Sequence, residues 1–390
     1  MCWKSLAIVI LISLFSVGCN RDRVSGVTGP SGDQTPVNIP DSNLEGVIRE
    51  TLMKPTGPIV VADLESITRI TGRNRQLDTL SGMEYMRSLR KADFGENNIV
   101  DLSPLSGLTS LDTLVLDQNI ISDFSPLGNL LSLKQLILSS NQITAINDID
   151  ADYSLRDLQL DGNAISDLSP LTGLTALLSL RLNDNEFTSI QPLSQLSQLQ
   201  MLDISDNEVE NFGSVATMPN LTELYISRTT TTDLQPLIGL RSLQILWASS
   251  NHIASLEPLR QLNGLQSLIL YDNEITSLEP LSQFNQLLLL DISQNNITDL
   301  TPLAQMTTIP NLWADNIQIV SISALSSLSS LSGELALLLS NNAIVDLRPL
   351  AENAGLAGGD WIYLYNNLLS DSSLYYYIPR LLLRGVTVWR

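Results

Sequence analysis

Few residues in this chain belong to the types that carry out enzymatic chemistry. Among its 390 residues there is one histidine, His252, and there are two cysteines, Cys2 and Cys19. Acid–base and nucleophilic catalysis need such groups in positioned pairs, and the sequence offers neither a second histidine nor a cysteine after residue 19. We therefore expect a protein that is not an enzyme and that uses no cofactor.

Carboxylates are the one abundant chemical group. The chain has 41 Asp and Glu residues against 21 Lys and Arg, a formal net charge of −20. A surface of this sign repels phosphate groups, which disfavours nucleic acid and anionic lipid headgroups as partners. Paired carboxylates could hold calcium or cleave glycosides, but the spacing of a calcium-binding loop is absent, so we expect no metal site and a solvated acidic surface.

The elements that position these side chains come from a repeat of 22 residues. Its consensus is L-x-x-L-x-L-x-x-N-x-I-x-x-L-x-P-L-x-x-L, and residues 111–130, LDTLVLDQNIISDFSPLGNL, are a good copy. The Asn position recurs every 22 residues from 75 to 317, and then at Asn342 and Asn367 after two spacings of 25. The chain therefore contains about fourteen units.

Each unit predicts a short strand, a turn and a return segment. Leu114 and Leu116 alternate as the buried face of a strand requires, and the Asn side chain can bond backbone groups at the bend. Proline seven residues after the Asn position disfavours a regular helix, so we expect turns and short 3₁₀ segments on the return side. Arg75, Thr229 and Ile317 replace the Asn, and because Ile317 has no polar side chain we expect an irregular coil there.

This repeat resembles the leucine-rich repeats of internalin-like bacterial surface proteins, and the resemblance covers residues 64–370. It implies an α/β repeat solenoid, an arc with a parallel concave β-sheet and a convex side of turns and 3₁₀ segments. It also implies that a protein partner binds to the concave sheet.

Both ends of the repeat array have a segment that can cover the core. Residues 39–63 predict a helical N-terminal cap, in which Ser42 and Glu45 have the spacing of a capping box. Residues 371–390 predict a C-terminal cap made of a helix from about Ser372 and a final strand at residues 386–389.

The N-terminus has the composition of an export signal. Residues 1–18 predict a signal peptide, and residues 16–19, SVGC, resemble the lipobox of bacterial lipoproteins. The resemblance implies that Cys19 carries a lipid, that residues 19–38 form a flexible tether, and that this lipid is the chain's only membrane contact. With Asn20 after the cysteine, it implies the outer membrane of the bacterial cell envelope, facing the periplasm or the exterior. An ordinary signal peptide with an incidental cysteine is the alternative.

One column of exposed strand positions, four residues before each Asn position, becomes aromatic in the second half of the array. Exposed aromatic side chains with a polar rim are typical of protein interfaces, so we predict a partner-binding patch on the concave sheet. Its predicted members are Tyr225, Arg228, Trp247, Ile269, Tyr271, Asp272, Asp291, Trp313 and Asp315. The alternative is that the aromatic side chains only pack against one another along the sheet.

The sequence therefore favours a protein-binding module that acts in adhesion or in the assembly of an envelope complex, and we expect it to be a monomer. Two other functions stay open. A carbohydrate-binding or carbohydrate-active envelope protein would stack sugars on the Trp and Tyr rings. A structural envelope spacer would leave the concave face unused.

Overall fold

The computed structural model describes residues 32–147, 149, 154–209, 211–306, 311–327 and 336–390. These parts of the chain form one parallel sheet of fifteen strands that are hydrogen-bonded in sequence order, β1 to β15. The first and last strands do not pair with each other, so the sheet is open. The strands are β1 Arg69–Thr71, β2 Lys91–Asp93, β3 Thr113–Val115, β4 Gln135–Ile137, β5 Asp157–Gln159, β6 Ser179–Arg181, β7 Met201–Asp203, β8 Glu223–Tyr225, β9 Ile245–Trp247, β10 Ser267–Ile269, β11 Leu289–Asp291, β12 Asn311–Trp313, β13 Ala336–Leu338, β14 Trp361–Tyr363 and β15 Thr387–Trp389.

The return side consists of short helical segments, as the prolines predict. The α-helices of the described chain are α1 Ser42–Leu52, α2 Val61–Glu65, α3 Arg348–Glu352 and α4 Ile378–Leu383. The 3₁₀ segments are Met83–Tyr85, Ser103–Leu105, Ser125–Leu127, Ser169–Gly173, Gln191–Gln195, Gly213–Thr217, Gln235–Leu237, Glu257–Leu259, Glu279–Leu281, Thr301–Gln305 and Ser323–Ser327. The solenoid predicted from the repeat is therefore confirmed.

Inside each coil, the Leu and Ile positions of the repeat form one continuous hydrophobic core. Leu114 and Leu116 are fully buried, whereas Val115 between them is half-buried on the opposite face of the strand. In neighbouring strands, residues at the same position of the repeat lie side by side, for example Leu114 beside Leu136. Each coil thus buries its apolar side chains against the next coil, and no coil has a separate core.

The Asn positions form a ladder of hydrogen bonds between coils. In Asn119, Nδ2 donates to the carbonyl of Leu116 in its own coil and to that of Phe94 in the preceding coil, both at 3.0 Å. Its Oδ1 accepts from the N–H of Ile99, also at 3.0 Å. One side chain therefore satisfies three backbone groups at a buried bend, which confirms the role predicted for the Asn.

The ladder changes where the Asn is missing. The residue before each of the fourteen Asn positions has a left-handed φ, such as 54° at Gln118. At Arg75, Thr229 and Ile317 the following residue is left-handed too, for example Thr230 with a φ of 60°.

In these coils the next Asn accepts two backbone N–H groups instead of one. Asn251 Oδ1 accepts from Thr229 at 3.0 Å and from Thr231 at 3.1 Å. The irregular coil predicted at Ile317 is confirmed, and the same irregularity occurs at Thr229 although threonine can form hydrogen bonds. The irregular backbone is therefore associated with the absence of the Asn side-chain amide, and not with the absence of every hydrogen-bonding side chain.

The N-terminal helix begins as predicted but is capped by a different residue. Asp41, not Ser42, is the N-cap, because its Oδ1 accepts from the N–H groups of Asn43 at 2.8 Å and Leu44 at 3.1 Å. The predicted capping box is therefore wrong, and Glu45 pairs with Arg49 instead, at 2.7 Å. Asp41 also accepts from the backbone of Asp78, at 2.8 Å, which fixes the cap to the first coil.

The C-terminal cap is a helix followed by a strand, as the sequence predicts. A π-helical turn, Ser373–Tyr377, leads into α4, whose Ile378 and Leu381 are buried. Arg384 then donates to the backbone carbonyls of Ala351, Asn353 and Leu356, which ties the cap to the preceding coil. Strand β15 adds one strand to the fourteen of the repeat units.

The export segment lies largely outside the described residues, which begin at position 32. The signal peptide at 1–18, Cys19 and most of the tether at 19–38 therefore stay predictions. Within the described ranges, every helix is too short or too polar to cross a bilayer.

Candidate functional site

The parallel register places the predicted column of side chains on neighbouring strands of the concave face. Tyr225 lies beside Trp247, which lies beside Ile269, and the column continues through Asp291 to Trp313. Because neighbouring strands are about 4.8 Å apart, these five side chains span roughly 19 Å. The column is therefore continuous, as expected from counting four residues back from each Asn position.

Tyr225 and Trp247 form an aromatic pair at the middle of the sheet. Their rings meet edge to face, with centroids 5.0 Å apart and planes at 83°. Tyr225 Oη donates to Glu223 Oε2 at 3.0 Å, and Trp247 Nε1 donates to Ser267 Oγ at 3.2 Å. Burial, and then the charge of Glu223, raises the pKa of Tyr225. Both polar groups are satisfied within the sheet, so the half-buried rings are what this central aromatic pair offers to a partner.

Two carboxylates, one buried and one half-buried, lie next to the aromatic side chains. Asp291 is only 6% exposed between Ile269 and Trp313, and its Oδ1 accepts from the N–H of Ser293 at 2.9 Å. Asp315 accepts from the N–H of Ser340 at 2.6 Å. Burial raises the pKa of Asp291, and burial with repulsion by Asp291 raises the pKa of Asp315 to about 6. Asp291 therefore lies inside the column and interrupts its aromatic character.

The remaining predicted residues lie along one margin of the column. Tyr271 is half-buried, and burial raises its pKa. Arg228 and Asp272 each precede an Asn position, so both are exposed at the turn with left-handed backbones. Arg228 is paired with Asp206. The structure therefore places these residues at the turn edge, beside the aromatic column.

A second aromatic group, outside the predicted partner-binding patch, lies at the C-terminal end of the same column. Leu338 lies beside Trp313, and Tyr363 and Trp389 follow on the next two strands. The rings of Tyr363 and Trp389 are stacked, with centroids 6.2 Å apart and planes at 13°, and Trp361 lies 6.4 Å from Tyr363. Trp361 and Trp389 are 44% and 43% exposed. We call Trp361, Tyr363 and Trp389 the terminal aromatic cluster.

At the N-terminal end of the concave face, acidic side chains form ion pairs with one arginine. Arg73 reaches Asp117 at 2.5 Å, Glu96 at 2.9 Å and Asp93 at 3.2 Å. Its hydrogen bonds, the strongest being to Asp117, raise the pKa of Arg73. The acidic groups nearest this end are therefore already neutralised by a partner within the sheet.

The histidine and the possible metal ligands of the described ranges do not come together in one place. His252 is exposed at the turn edge and its Nδ1 lies 3.1 Å from Glu274 Oε1. Across the same ranges, His, Cys, Asp and Glu side chains form no group of three that could hold a metal ion. An open groove of about 760 Å³ lies on turn and return segments, away from the aromatic column, and is lined by Thr188, Ser189, Gln191, Glu208, Asn211, Gly213, Ser214 and Thr230.

A family model described as leucine-rich repeats (2 copies) matches residues 87–129 and 241–281. Among curated protein sequences there is no match. Among solved structures, an internalin from Listeria monocytogenes is 28% identical, with a TM-score of 0.71 over 90% of this chain and 95% of that chain.

Two further structures share the fold. A leucine-rich-repeat protein of Leptospira interrogans is 21% identical, with a TM-score of 0.71 over 84% of this chain and 97% of its own. The ectodomain of a plant membrane receptor kinase from Arabidopsis thaliana, solved in complex with Casparian strip integrity factor 2, is 18% identical. Its TM-score is 0.60 over 80% of this chain and 45% of that ectodomain. Together with the repeat and the open parallel sheet, these likenesses show that the chain has a leucine-rich-repeat fold and is similar to internalins.

Proposed function

We propose that this chain is a non-enzymatic binding module that recognises a protein partner on the C-terminal half of its concave sheet. The observation that carries the proposal is the unbroken column from Tyr225 to Trp389, in which most side chains are aromatic or aliphatic. Leucine-rich-repeat folds typically bind proteins, and the plant ectodomain with its bound factor is one such case. The binding would serve either adhesion or the assembly of an envelope complex.

The column has the properties that make interface residues contribute strongly to binding. Tyr225, Trp247 and Trp313 are half-buried and lie on strands whose backbones are fixed by the ladder and the sheet. Aromatic side chains held in this way lose little conformational freedom when a partner covers them. The central aromatic pair and the terminal aromatic cluster therefore supply two anchoring regions on one rigid surface.

The charges around the column indicate the chemistry of the partner. Glu223 and Asp272 lie beside the column, and the one nearby cation among the predicted residues, Arg228, is paired with Asp206. A partner that brings basic groups to this margin would meet uncompensated carboxylates. We therefore propose a partner segment that is apolar or aromatic at its centre and basic at its edges.

The test is capture from envelope and host extracts with the full chain, followed by affinity measurement with each purified candidate. Trp247→Ala and Trp313→Ala should each weaken binding by about 30-fold or more, with little change in melting temperature. Ile137→Ala is the matched control, because Ile137 occupies the same column position in the N-terminal half. Unchanged binding with a large loss of stability would mean that the aromatic side chains only pack along the sheet. Binding of glycans in place of any protein would favour the carbohydrate alternative.

We further propose that the chain is a lipoprotein held at the outer membrane by Cys19. The support is the resemblance of residues 16–19 to a lipobox, together with the absence of any other cysteine after the predicted signal peptide. Fractionation of expressing cells tests this proposal. Wild type should remain with membranes, Cys19→Ala should be released, and equal retention of both would contradict a lipid anchor.

A further inference from the structure

The two ends of the solenoid are closed by different kinds of surface. On the N-terminal helix α1, the exposed residues include Ser42, Asn43 and Glu50, and the one large apolar side chain exposed there is Met53, just after the helix. The C-terminal cap instead exposes apolar side chains in a group. A terminal unit of a solenoid normally has a polar outer face, because nothing follows to cover it.

Exposed apolar side chains are concentrated at this end of the molecule. Within the described ranges, sixteen large apolar side chains are exposed, and eight of them lie in the last thirty residues. These eight are Trp361, Tyr365, Leu368, Tyr375, Tyr376, Leu382, Leu383 and Trp389. The enrichment is therefore a property of the last coil and the C-terminal cap together and not of the surface in general.

The cap helix is apolar on both of its sides. Ile378 and Leu381 face inward and are buried, 3% and 0% exposed. Tyr375, in the π-helical turn, and Leu382, in α4, instead point outward. They are 77% and 52% exposed, and Leu383 beside them is 87% exposed. Arg380 is also exposed there, and its guanidinium carbon lies 5.4 Å from the centroid of the Tyr376 ring. The rest of the outward side has the composition of a buried face without a cover among the described residues.

The last strand has an open edge next to this face. Thr387 donates its N–H to Asp360, and the carbonyl of Trp389 accepts from Leu364, so both residues bond toward β14. Val388 between them directs its N–H and C=O to the opposite edge, since alternate residues of a parallel strand bond to opposite sides. No element of the described chain pairs with that edge. An unpaired edge is a template for another strand.

The charge of this end allows a second copy to approach. Residues 346–390 contain four carboxylates (Asp346, Glu352, Asp360, Asp371) and four arginines (Arg348, Arg380, Arg384, Arg390), so the net charge of −20 falls entirely on the rest of the chain. Two copies would repel each other least at this neutral end. An anionic lipid surface is disfavoured by the same balance, because it would need an excess of basic residues.

We propose that two copies of this chain associate through the outer face of the C-terminal cap and the open edge of β15. With a two-fold axis at Val388, the two β15 strands pair antiparallel and the Val388 residues exchange both of their backbone hydrogen bonds. The exposed parts of Tyr375, Tyr376, Leu382, Leu383 and Trp389 amount to roughly 600 Å² per copy, near the ~800 Å² that each partner contributes to a standard interface. The sequence alone favoured a monomer, but it did not show that the outward side of the cap is apolar.

The test is the molar mass of the purified full chain by sedimentation equilibrium. Wild type should form a dimer of its 42.7 kDa chain. Leu383→Asp and, separately, Tyr375→Asp should each weaken the dimer by about 30-fold or more, because each buries a charge in an apolar interface. Met53→Asp is the matched control, since Met53 is 89% exposed on the opposite end and its replacement adds the same charge. Thermal unfolding should be nearly unchanged in all three variants when it is measured at a concentration at which the wild type is also monomeric.

Several outcomes would overturn the proposal. A wild-type chain that is monomeric at about 50 µM would do so, because this corresponds to a dissociation constant far weaker than a specific dimer needs. A dimer that survives both Leu383→Asp and Tyr375→Asp would show that the copies meet elsewhere. A monomer that sediments with phosphatidylglycerol vesicles, and loses this property in Leu383→Asp, would assign the face to a lipid surface.

Discussion

The N-terminal end of the concave sheet, at β1 to β3, and the region of β11 and β12 have the same backbone and differ in how their acidic side chains are held. At the N-terminal end, Arg73 binds three carboxylates at once. In the C-terminal half, Asp291 and Asp315 are partly or wholly buried beside aromatic rings, with backbone N–H groups as their hydrogen-bond donors. The Asn ladder and the hydrophobic core therefore determine the backbone of the scaffold. The exposed side chains vary independently of that backbone, so each region of the sheet has its own charged and apolar groups.

The largest expected effect concerns the backbone that both halves share. Asn119→Ala and Asn295→Ala each remove a side chain that satisfies backbone groups of two coils. Since an unsatisfied buried group costs about 1–3 kcal/mol, and water can reach part of the bend, each variant should lose about 3 kcal/mol of unfolding free energy. Urea unfolding followed by circular dichroism and by tryptophan fluorescence measures the loss. A loss confined to one half would break the claim of a common scaffold.

A smaller effect is expected from single acidic residues, which should stabilise the fold in one region of the sheet and destabilise it in the other. Burial raises the pKa of Asp315 in the folded chain to about 6, above its usual value near 3.8. Between these two values the folded state binds more protons than the unfolded state, so this carboxyl makes stability fall as the pH rises from about 4 to 6. Asp315→Asn should therefore stabilise the chain at pH 7 by about 1 kcal/mol, a figure reduced for the partial exposure of the group.

The matched control for this prediction lies in the other half. Asp117→Asn removes the closest carboxylate of Arg73, which lies 2.5 Å away with the Asp117 side chain 15% exposed. This variant should lose about 0.5–1 kcal/mol at pH 7, because a partly buried charged hydrogen bond is replaced by a neutral one. Unfolding measured at pH 4.5 and pH 7 would show whether the two substitutions differ in sign. If both substitutions changed the free energy of unfolding in the same direction, the two regions would not differ in their electrostatics.

The fold could be predicted because the same pattern of buried and exposed positions recurs in fourteen units. Counting from each Asn position was enough to place Leu114 inward and Val115 outward. The N-cap was missed because Asp41 and Ser42 are both good capping residues by type. What decides between them is a contact distant in sequence, the second oxygen of Asp41 on the backbone of Asp78.

The candidate site could be predicted in position but not in extent. Spacing alone aligned Tyr225, Trp247 and Trp313, because strands of equal length stack in register. The burial of Asp291 depends on the sizes of its neighbours on other strands, which a one-dimensional pattern does not contain. Trp389 was left out of the predicted patch because β15 follows a helix and carries no repeat signature, although its place after β14 continues the column.

The regular spacing of the sheet also affects how the chain can fold. Parallel strands usually join residues far apart in sequence, and this makes such sheets slow to form. Here most neighbouring strands are related by 22 residues in a chain of 390, as with Leu114 and Leu136. The resulting relative contact order is roughly 0.06, slightly below the range of helical bundles. Each coil can therefore form on the one before it, so that a fifteen-stranded sheet assembles by steps as local as those of an all-helical protein.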